Sequence, residues 1–307
     1  MEPKKATGFD TERDAASYDE VAPTYNKYIE LLSAPLAHRA IVLAELTKDQ
    51  RVLDVGTGSG IAARYAAAAV GPTGQVIGVD LSEGMVRSAQ DTARQQGVAN
   101  VEFRRMNAEM LDLPSASFDA VLSLCAPAHF PNLPKALAEM SRVLAPGCRL
   151  VVSVGSGRPR LGHGLSRYAV RRFFMALTGL VKTQLFAPNF ILDIISRRVP
   201  HLPEPTVTTW SKRSTYSRLT KAVIDAGFQK VATHYEGHIL TFDSAEAFWE
   251  AQEAIVTSAR KRLMTLATGQ VEALRREFLA KAQQVLDRGG RLYYPYGAFY
   301  VSAVRAP

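Results

Sequence analysis

Cysteine is nearly absent: Cys125 and Cys148 are the two in 307 residues. That excludes a disulfide framework and a thiolate zinc cage, and the six histidines show no ligand-type spacing, so no metal chemistry is expected. Long apolar runs are missing too. Stretches such as Phe173 to Val181 fall well short of the roughly 20 residues of a spanning helix, and MEPKKATGFDTERD at the N-terminus has no apolar signal region. A soluble, cytoplasmic protein is the expectation. With 21 Gly and 16 Pro the chain is too poor in both for a collagen-like or low-complexity protein. Its 47% of apolar residues supports a substantial core, in one large α/β domain or two smaller ones.

Acidic residues are the scarcer charge, 29 against 37 Lys plus Arg, which leaves a net +8. The excess is concentrated. Between Arg158 and Pro200 stand Arg158, Arg160, Arg167, Arg171, Arg172, Lys182, Arg197 and Arg198 against the single acid Asp193. The same window is strongly apolar (FFMALTGLV, LFAPNFILDII), which disfavours a nucleic-acid surface and suits a lid over a lipophilic or anionic small molecule. A peripheral membrane contact and a homo-oligomer contact are the other readings of this patch.

From residue 51 to 155, RVLDV, VIGVD, VEFRRM, DAVLSL and RLVVSV alternate with helical or turn segments. This alternation predicts a doubly wound, mostly parallel α/β sheet. IAARYAAAAV forms a helix ended by Gly71-Pro72, Ser82 caps a second helix running to Gly97, and PKALAEMSRVL is a third. The expected division is 1–50 as an N-terminal helical lid and 51–155 as the α/β core. A basic, apolar cap then occupies 156–210, and 211–307 is the remainder of the core with a helical insertion. Within that last part, helices are expected near Tyr216 to Ala226, Ser244 to about Ala267 and Val271 to Leu286. Strands are expected at Gln229 to Tyr235 and in the terminal AFYVSAVR.

VLDVGTGSG, residues 52–60, follows a strand and opens a helix. Its glycines, Gly56, Gly58 and Gly60, are not spaced as a dinucleotide fingerprint requires, because Ile61 falls where that spacing would continue. Asp54, just before the loop, would repel a pyrophosphate and attract an ammonium. Asp80 ends the second strand twenty residues past Gly60, placed to accept both hydroxyls of a ribose. Asn107, Ala108 and Glu109 follow the third strand at the same sheet edge, where an adenine could be read.

At these residues the chain resembles the class I S-adenosylmethionine-dependent methyltransferases, in particular the ubiquinone/menaquinone-biosynthesis-like group. VLDVGTGSG, VIGVDLSEGM, NAEMLDLP, FDAVLSLCAPAHF and SRVLAPGCRLVV fall in that family's order and spacing. The resemblance covers roughly residues 18 to 155 and, more loosely, 214 to 307. It implies a seven-stranded Rossmann-like methyltransferase sheet and S-adenosyl-L-methionine as cofactor. Gly56 and Gly58 would then lie against its methionine part, with Asp54 and Thr57 also among the cofactor-binding residues, Asp80 on the ribose and Leu81 and Met85 beside the adenine. Asn107, Ala108 and Glu109 would surround the adenine edge, with Leu124 beside the sulfonium. YDEVAPTYNKY resembles the family's lid segment, with Tyr25 closing over the cofactor. His129 is the candidate general base, and Cys125 reads as a small filler. Where quinone C-methyltransferases carry Y-D-x-x-N and H-R-x-W, this chain has Tyr25-Asn26 and His38-Arg39-Ala40 at shifted spacing. The implied activity is methyl transfer to a small metabolite on C, O or N. The alternatives are an RNA or protein methyltransferase docking through the basic cap, or a cyclisation that uses the cofactor structurally.

Overall fold

The computed structural model describes residues 11–19, 22–156, 185–186, 190–203 and 215–307. Most of the expected cap, and with it Arg158 to Lys182, lies outside the described residues. The chain divides into two compact units, one of residues 1–155, 206–236 and 298–307, the other of 156–205 and 237–297.

The first unit begins with helices α1 (Thr11–Asp19) and α2 (Ala22–Ala44). Strands β1 (Arg51–Val55), β2 (Gln75–Asp80), β3 (Val101–Arg105) and β4 (Phe118–Ser123) then alternate with α3 (Ile61–Val70) and α4 (Glu83–Gln95). A short 3-10 turn (Pro127–His129) and α5 (Leu133–Val143) lead into β5 (Leu144–Ser156). β1 pairs in parallel with β2 and β4, β2 with β3, and β4 with β5. Their burial on both faces explains why each reads as an apolar run: Val52, Leu53, Val121, Leu122, Leu150 and Val152 are all 0% exposed. The sheet order β3-β2-β1-β4-β5 reverses direction between β1 and β4, and the crevice of an open α/β sheet opens at such a reversal.

Beyond β5 the sheet continues with β8 (Leu292–Val304), to which β7 (Gln229–Phe242) pairs. Seven strands of five residues or more thus form the expected sheet. A two-residue strand, β6 (Leu185–Phe186), adds itself in parallel to Leu292 and Tyr293. β7 and β8 are longer than the sequence pattern suggests, and the first unit is completed by α7 (Thr215–Asp225), which follows α6 (Phe190–Arg198) in the chain.

Residues 237–297, which fall in the 211–307 stretch expected to carry a helical insertion, group with the described part of the cap. The reason is apolar. Phe190, Ile191, Ile194 and Ile195 of α6 are buried, and Phe190 lies 4.7 Å from Phe278 and 6.3 Å from Phe248 between ring centroids. These partners sit on α8 (Ala245–Ile255) and α10 (Thr268–Asp287), while α9 (Thr257–Leu263) starts where Val256 breaks what the sequence suggests is one long helix. The apolar face of Phe190, Ile191, Ile194 and Ile195 is therefore part of a core. Arg198 pairs with Glu277. Tyr293 and Tyr294 are 8% and 7% exposed, consistent with packing. Among the described residues no helix is long and apolar enough to cross a membrane.

Phe278 is fully buried against Phe190, Phe248 and Trp249. Phe278→Ala is expected to cost about 3–5 kcal/mol of stability in urea unfolding, and a loss under 1 kcal/mol would contradict this packing.

Candidate active site

The turn after β1 is shaped by crowding on one side and open space on the other. Gly56 has φ +72°, and a Cβ there would stand 2.3 Å from the Cβ of Ala126, in the turn after β4. The two turns meet at the sheet reversal with no room for a side chain. Gly58, at φ +54°, has nothing within 4 Å of where its Cβ would be, so the space above it is free for a ligand to approach the backbone. The Gly56 and Thr57 amides both donate to the Val79 carbonyl, at 2.8 and 2.9 Å, which ties the turn to β2.

Asp54 is 1% exposed and has no basic partner among the described residues. Thr57 Oγ1 donates to its Oδ2 at 2.7 Å, whereas Oδ1 is buried with no hydrogen-bond partner. Burial pushes its carboxyl up to about 7, and the negative charge of Asp80 adds to the rise, while Thr57 and the nearby Ala63 amide offset part of it. Asp80 is half-buried. Its Oδ2 accepts from the Gly58 amide at 2.8 Å and its Oδ1 from the Ser82 amide at 3.0 Å. Of the four or so lone-pair directions of a carboxylate, about two remain, the number a vicinal diol requires. Desolvation raises its pKa, and the backbone amides and His129 pull it down.

The other expected residues cluster around this pair to differing degrees. Met85 is 3% exposed, and its amide donates to the capping Ser82 Oγ at 3.0 Å. Leu81 is half-buried and its carbonyl accepts from Arg105 Nε at 2.9 Å. The Met106 amide donates to the Asp80 carbonyl, bringing Asn107 and Ala108 alongside; Asn107 is exposed and Ala108 is buried. Glu109 is partly committed elsewhere, since its Oε1 accepts from the Asn132 amide at 2.7 Å where α5 begins. Leu124 packs against Ala37, Ile61 and Ala62. Cys125 is more than filler. It holds φ +61°, a strained conformation for a residue with a side chain, and its amide donates to Ser153 Oγ at 3.0 Å.

His129 lies in the 3-10 turn, with Nδ1 2.9 Å from Oδ2 of Asp14, a carboxylate that is 6% exposed. Tyr18 packs edge-on to both His129 (6.3 Å) and Tyr25 (5.8 Å), so the lid segment and the 3-10 turn share one aromatic contact. Asp14 is 115 residues from its partner, and no local pattern announces it. Asp19 is equally silent in the sequence. It accepts from Ser82 Oγ at 2.6 Å and from the Gly84 amide at 2.9 Å, with Gly84 so close that a Cβ would meet Asp19 Oδ1 at 2.6 Å. α1 is thereby fastened to the start of α4. Glu30 of α2 pairs at 2.5 Å with buried Arg64, which also donates to the Ser59 carbonyl at 2.7 Å, fastening α2 to the glycine turn.

A glycine turn at the reversal of a 3-2-1-4-5 sheet, flanked by carboxylates ending β1 and β2, defines an α/β protein whose ligand crevice lies at the carboxyl edge of the sheet. Comparison with known proteins sharpens that class. A methyltransferase-domain family profile matches residues 46–168. The chain is 32% identical over 232 residues to the ubiquinone/menaquinone biosynthesis C-methyltransferase of Ectopseudomonas mendocina, covering 73% of this chain and 84% of that one. It is 31% identical to the aklanonic acid methyltransferase of a Streptomyces species, over 44% of this chain and 61% of that one. In fold it resembles a [4+2]-cyclase, with TM-score 0.57, 18% identity and 97% of both chains covered. The chain belongs to the S-adenosylmethionine-dependent methyltransferases. The residues present fit that cofactor: an unpartnered buried oxygen on Asp54 for an ammonium, open space over Gly58, and free lone pairs on Asp80.

Because the folded pKa of Asp54 lies above its ordinary value of 3.8, the native state holds a proton that the unfolded chain releases, so stability falls as pH rises from about 4 to about 7. Over that window the cost reaches roughly 4 kcal/mol. Asp54→Asn should therefore gain stability over wild type progressively between pH 4 and 7, level off above, and bind S-adenosylhomocysteine more weakly. A stability difference that does not change with pH would contradict the buried, unpaired carboxylate.

Proposed function

We propose that the chain transfers a methyl group from S-adenosylmethionine to a small, lipophilic or aromatic metabolite at the carboxyl ends of β1, β2 and β4. The observation that carries this reading is the pair of desolvated carboxylates, Asp54 and Asp80, framing the open face of Gly58. Asp54 would receive the ammonium, with Gly56 and Thr57 shaping the turn beneath it, and Asp80 the ribose diol. Leu81 and Met85 would flank the adenine, and Asn107, Ala108 and the second oxygen of Glu109 would meet its edge. Leu124 would border the reacting end, with Tyr25 covering the site from the lid.

When bound, the cofactor supplies a methyl group already activated on a positively charged sulfur. The protein's part is to hold the acceptor in line and keep water out. His129 fits the task of removing a proton from an acceptor hydroxyl or acidic carbon. With Asp14 on Nδ1, the proton of the neutral ring is held at Nδ1 and the lone pair of Nε2 is left to accept. The small-molecule acceptor is favoured by the relatives, which include a nocamycin O-methyltransferase of Saccharothrix syringae, 34% identical over 43% of this chain and 48% of that one.

Incubation with methyl-labelled S-adenosylmethionine and a panel of quinols, anthraquinone acids and phenols should yield labelled product and one S-adenosylhomocysteine per turnover. Product formed without S-adenosylhomocysteine would refute transfer in favour of a cyclisation. His129→Gln is expected to lower kcat by roughly 10²- to 10⁴-fold with S-adenosylhomocysteine affinity unchanged. An unchanged kcat removes His129 from the chemistry.

A further inference from the structure

The first unit embeds several arginines, and nearly all are engaged. Arg64 has Glu30 and the Ser59 carbonyl. Arg142 has Glu139 and the carbonyls of Leu111 and Leu113, Arg149 has Glu45, and Arg305 has the Leu144 carbonyl. Arg39 of α2 is different. It is half-buried, its Nε–H is buried with no acceptor, and among the described residues it has no carboxylate or carbonyl partner. An unmade hydrogen bond on a buried donor is destabilising, and more so when the group is charged. Such a group is explained if something outside the chain completes it.

Its position says what. Arg39 stands one helical turn past Leu36, whose carbonyl accepts the Tyr300 hydroxyl at 2.9 Å. The Arg39 charge reaches both Tyr300 and His234, where it helps lower the imidazole pKa beneath the dominant effect of burial. Tyr300 also feels the thiol of Cys125, the residue that follows Leu124 at the end of β4 and leans on Ser153. Glu236, whose charge likewise reaches Tyr300, makes no ion pair with Arg39 among the described residues. Small residues stand on the same elements: Ala34 and Ala37 of α2 share a cluster with Leu124, and a Cβ on Gly155 would meet only Cys125 Sγ, at 4.0 Å. A guanidinium with no acid partner among the described residues, a phenol and a strained turn therefore run from α2 to the carboxyl end of β4, where the reacting methyl is placed by the function proposed above.

We propose that Arg39 is the anion-binding end of the acceptor site, so that the acceptor carries a delocalised oxyanion, a carboxylate or phenolate, held by the guanidinium fork. The site deepens the methyl-transfer reading and rests on it for its place beside the cofactor. An oxyanion fixed there orients the acceptor, and for a phenol or enol it also favours the ionised, nucleophilic form.

Binding of 2-naphthoate and of its neutral counterpart 2-naphthamide, measured by calorimetry in the presence of S-adenosylhomocysteine, tests this directly. Wild type should bind the anion at least about tenfold tighter, the scale of one charge-assisted contact. Arg39→Gln should lose that preference while binding S-adenosylhomocysteine as wild type does. No preference in wild type, no binding of naphthoate, or a preference that survives in Arg39→Gln would overturn the proposal. If Arg39→Gln does not fold, the arginine Nε–H resonance that disappears in Arg39→Lys should move in wild type on adding naphthoate and not naphthamide. A stationary resonance overturns it equally. Failure of wild type to bind S-adenosylhomocysteine would instead sink the methyl-transfer reading, and the naphthoate ratio read without it still reports on Arg39.

Discussion

Two carboxylates taken out of water at the ends of neighbouring strands, with backbone amides in place of cations, set the terms for this active site. Asp54 has one oxygen satisfied by Thr57 and one satisfied by nothing, and Asp80 holds the glycine turn through Gly58 and the following helix through Ser82. Burying acidic groups in this way is costly, and the charge of Asp80 worsens the cost for Asp54. A ligand with an ammonium and a sulfonium relieves it; a pyrophosphate would aggravate it. The same local electrostatics that cost the fold stability thus favour a cationic ligand.

Around that pair, the N-terminal helices act as fasteners. Asp19 binds the start of α4, Glu30 reaches Arg64 and through it the glycine turn, and Asp14 holds His129. Each is a carboxylate on α1 or α2 gripping a group that belongs to the nucleotide edge of the sheet. The N-terminal helices and the carboxyl edge of the sheet are therefore one hydrogen-bonded assembly within the first unit.

What could be read from the chain alone follows sequence separation. Asp54, the glycines and Thr57 lie within seven residues, and Asp80 closes a strand whose apolar run is plain, so the sheet is legible, as is the position of these residues at its carboxyl edge. The Ser82 cap is a local motif and was found where expected. The Asp14–His129 pair, the Asp19 clamp and the solitary Arg39 depend on how α1 and α2 lie on the sheet, which no periodicity encodes. The grouping of the second unit is hidden in sequence for a related reason. The apolar face of residues 190–195 looks the same in sequence whether it meets a ligand, a lipid or Phe248 and Phe278, and only packing distinguishes them. The break at Val256 was likewise hidden, because the residues on either side are compatible with helix throughout.

The most direct measurement is a crystal structure of the protein with S-adenosylhomocysteine bound. Both ribose hydroxyls should lie within hydrogen-bonding distance of the Asp80 carboxylate, and the amino group should approach the unpartnered oxygen of Asp54, with the ligand backbone passing over Gly58. A nucleoside seated elsewhere, or one whose ribose is held by other groups while Asp80 keeps only its backbone amides, would contradict the central claim.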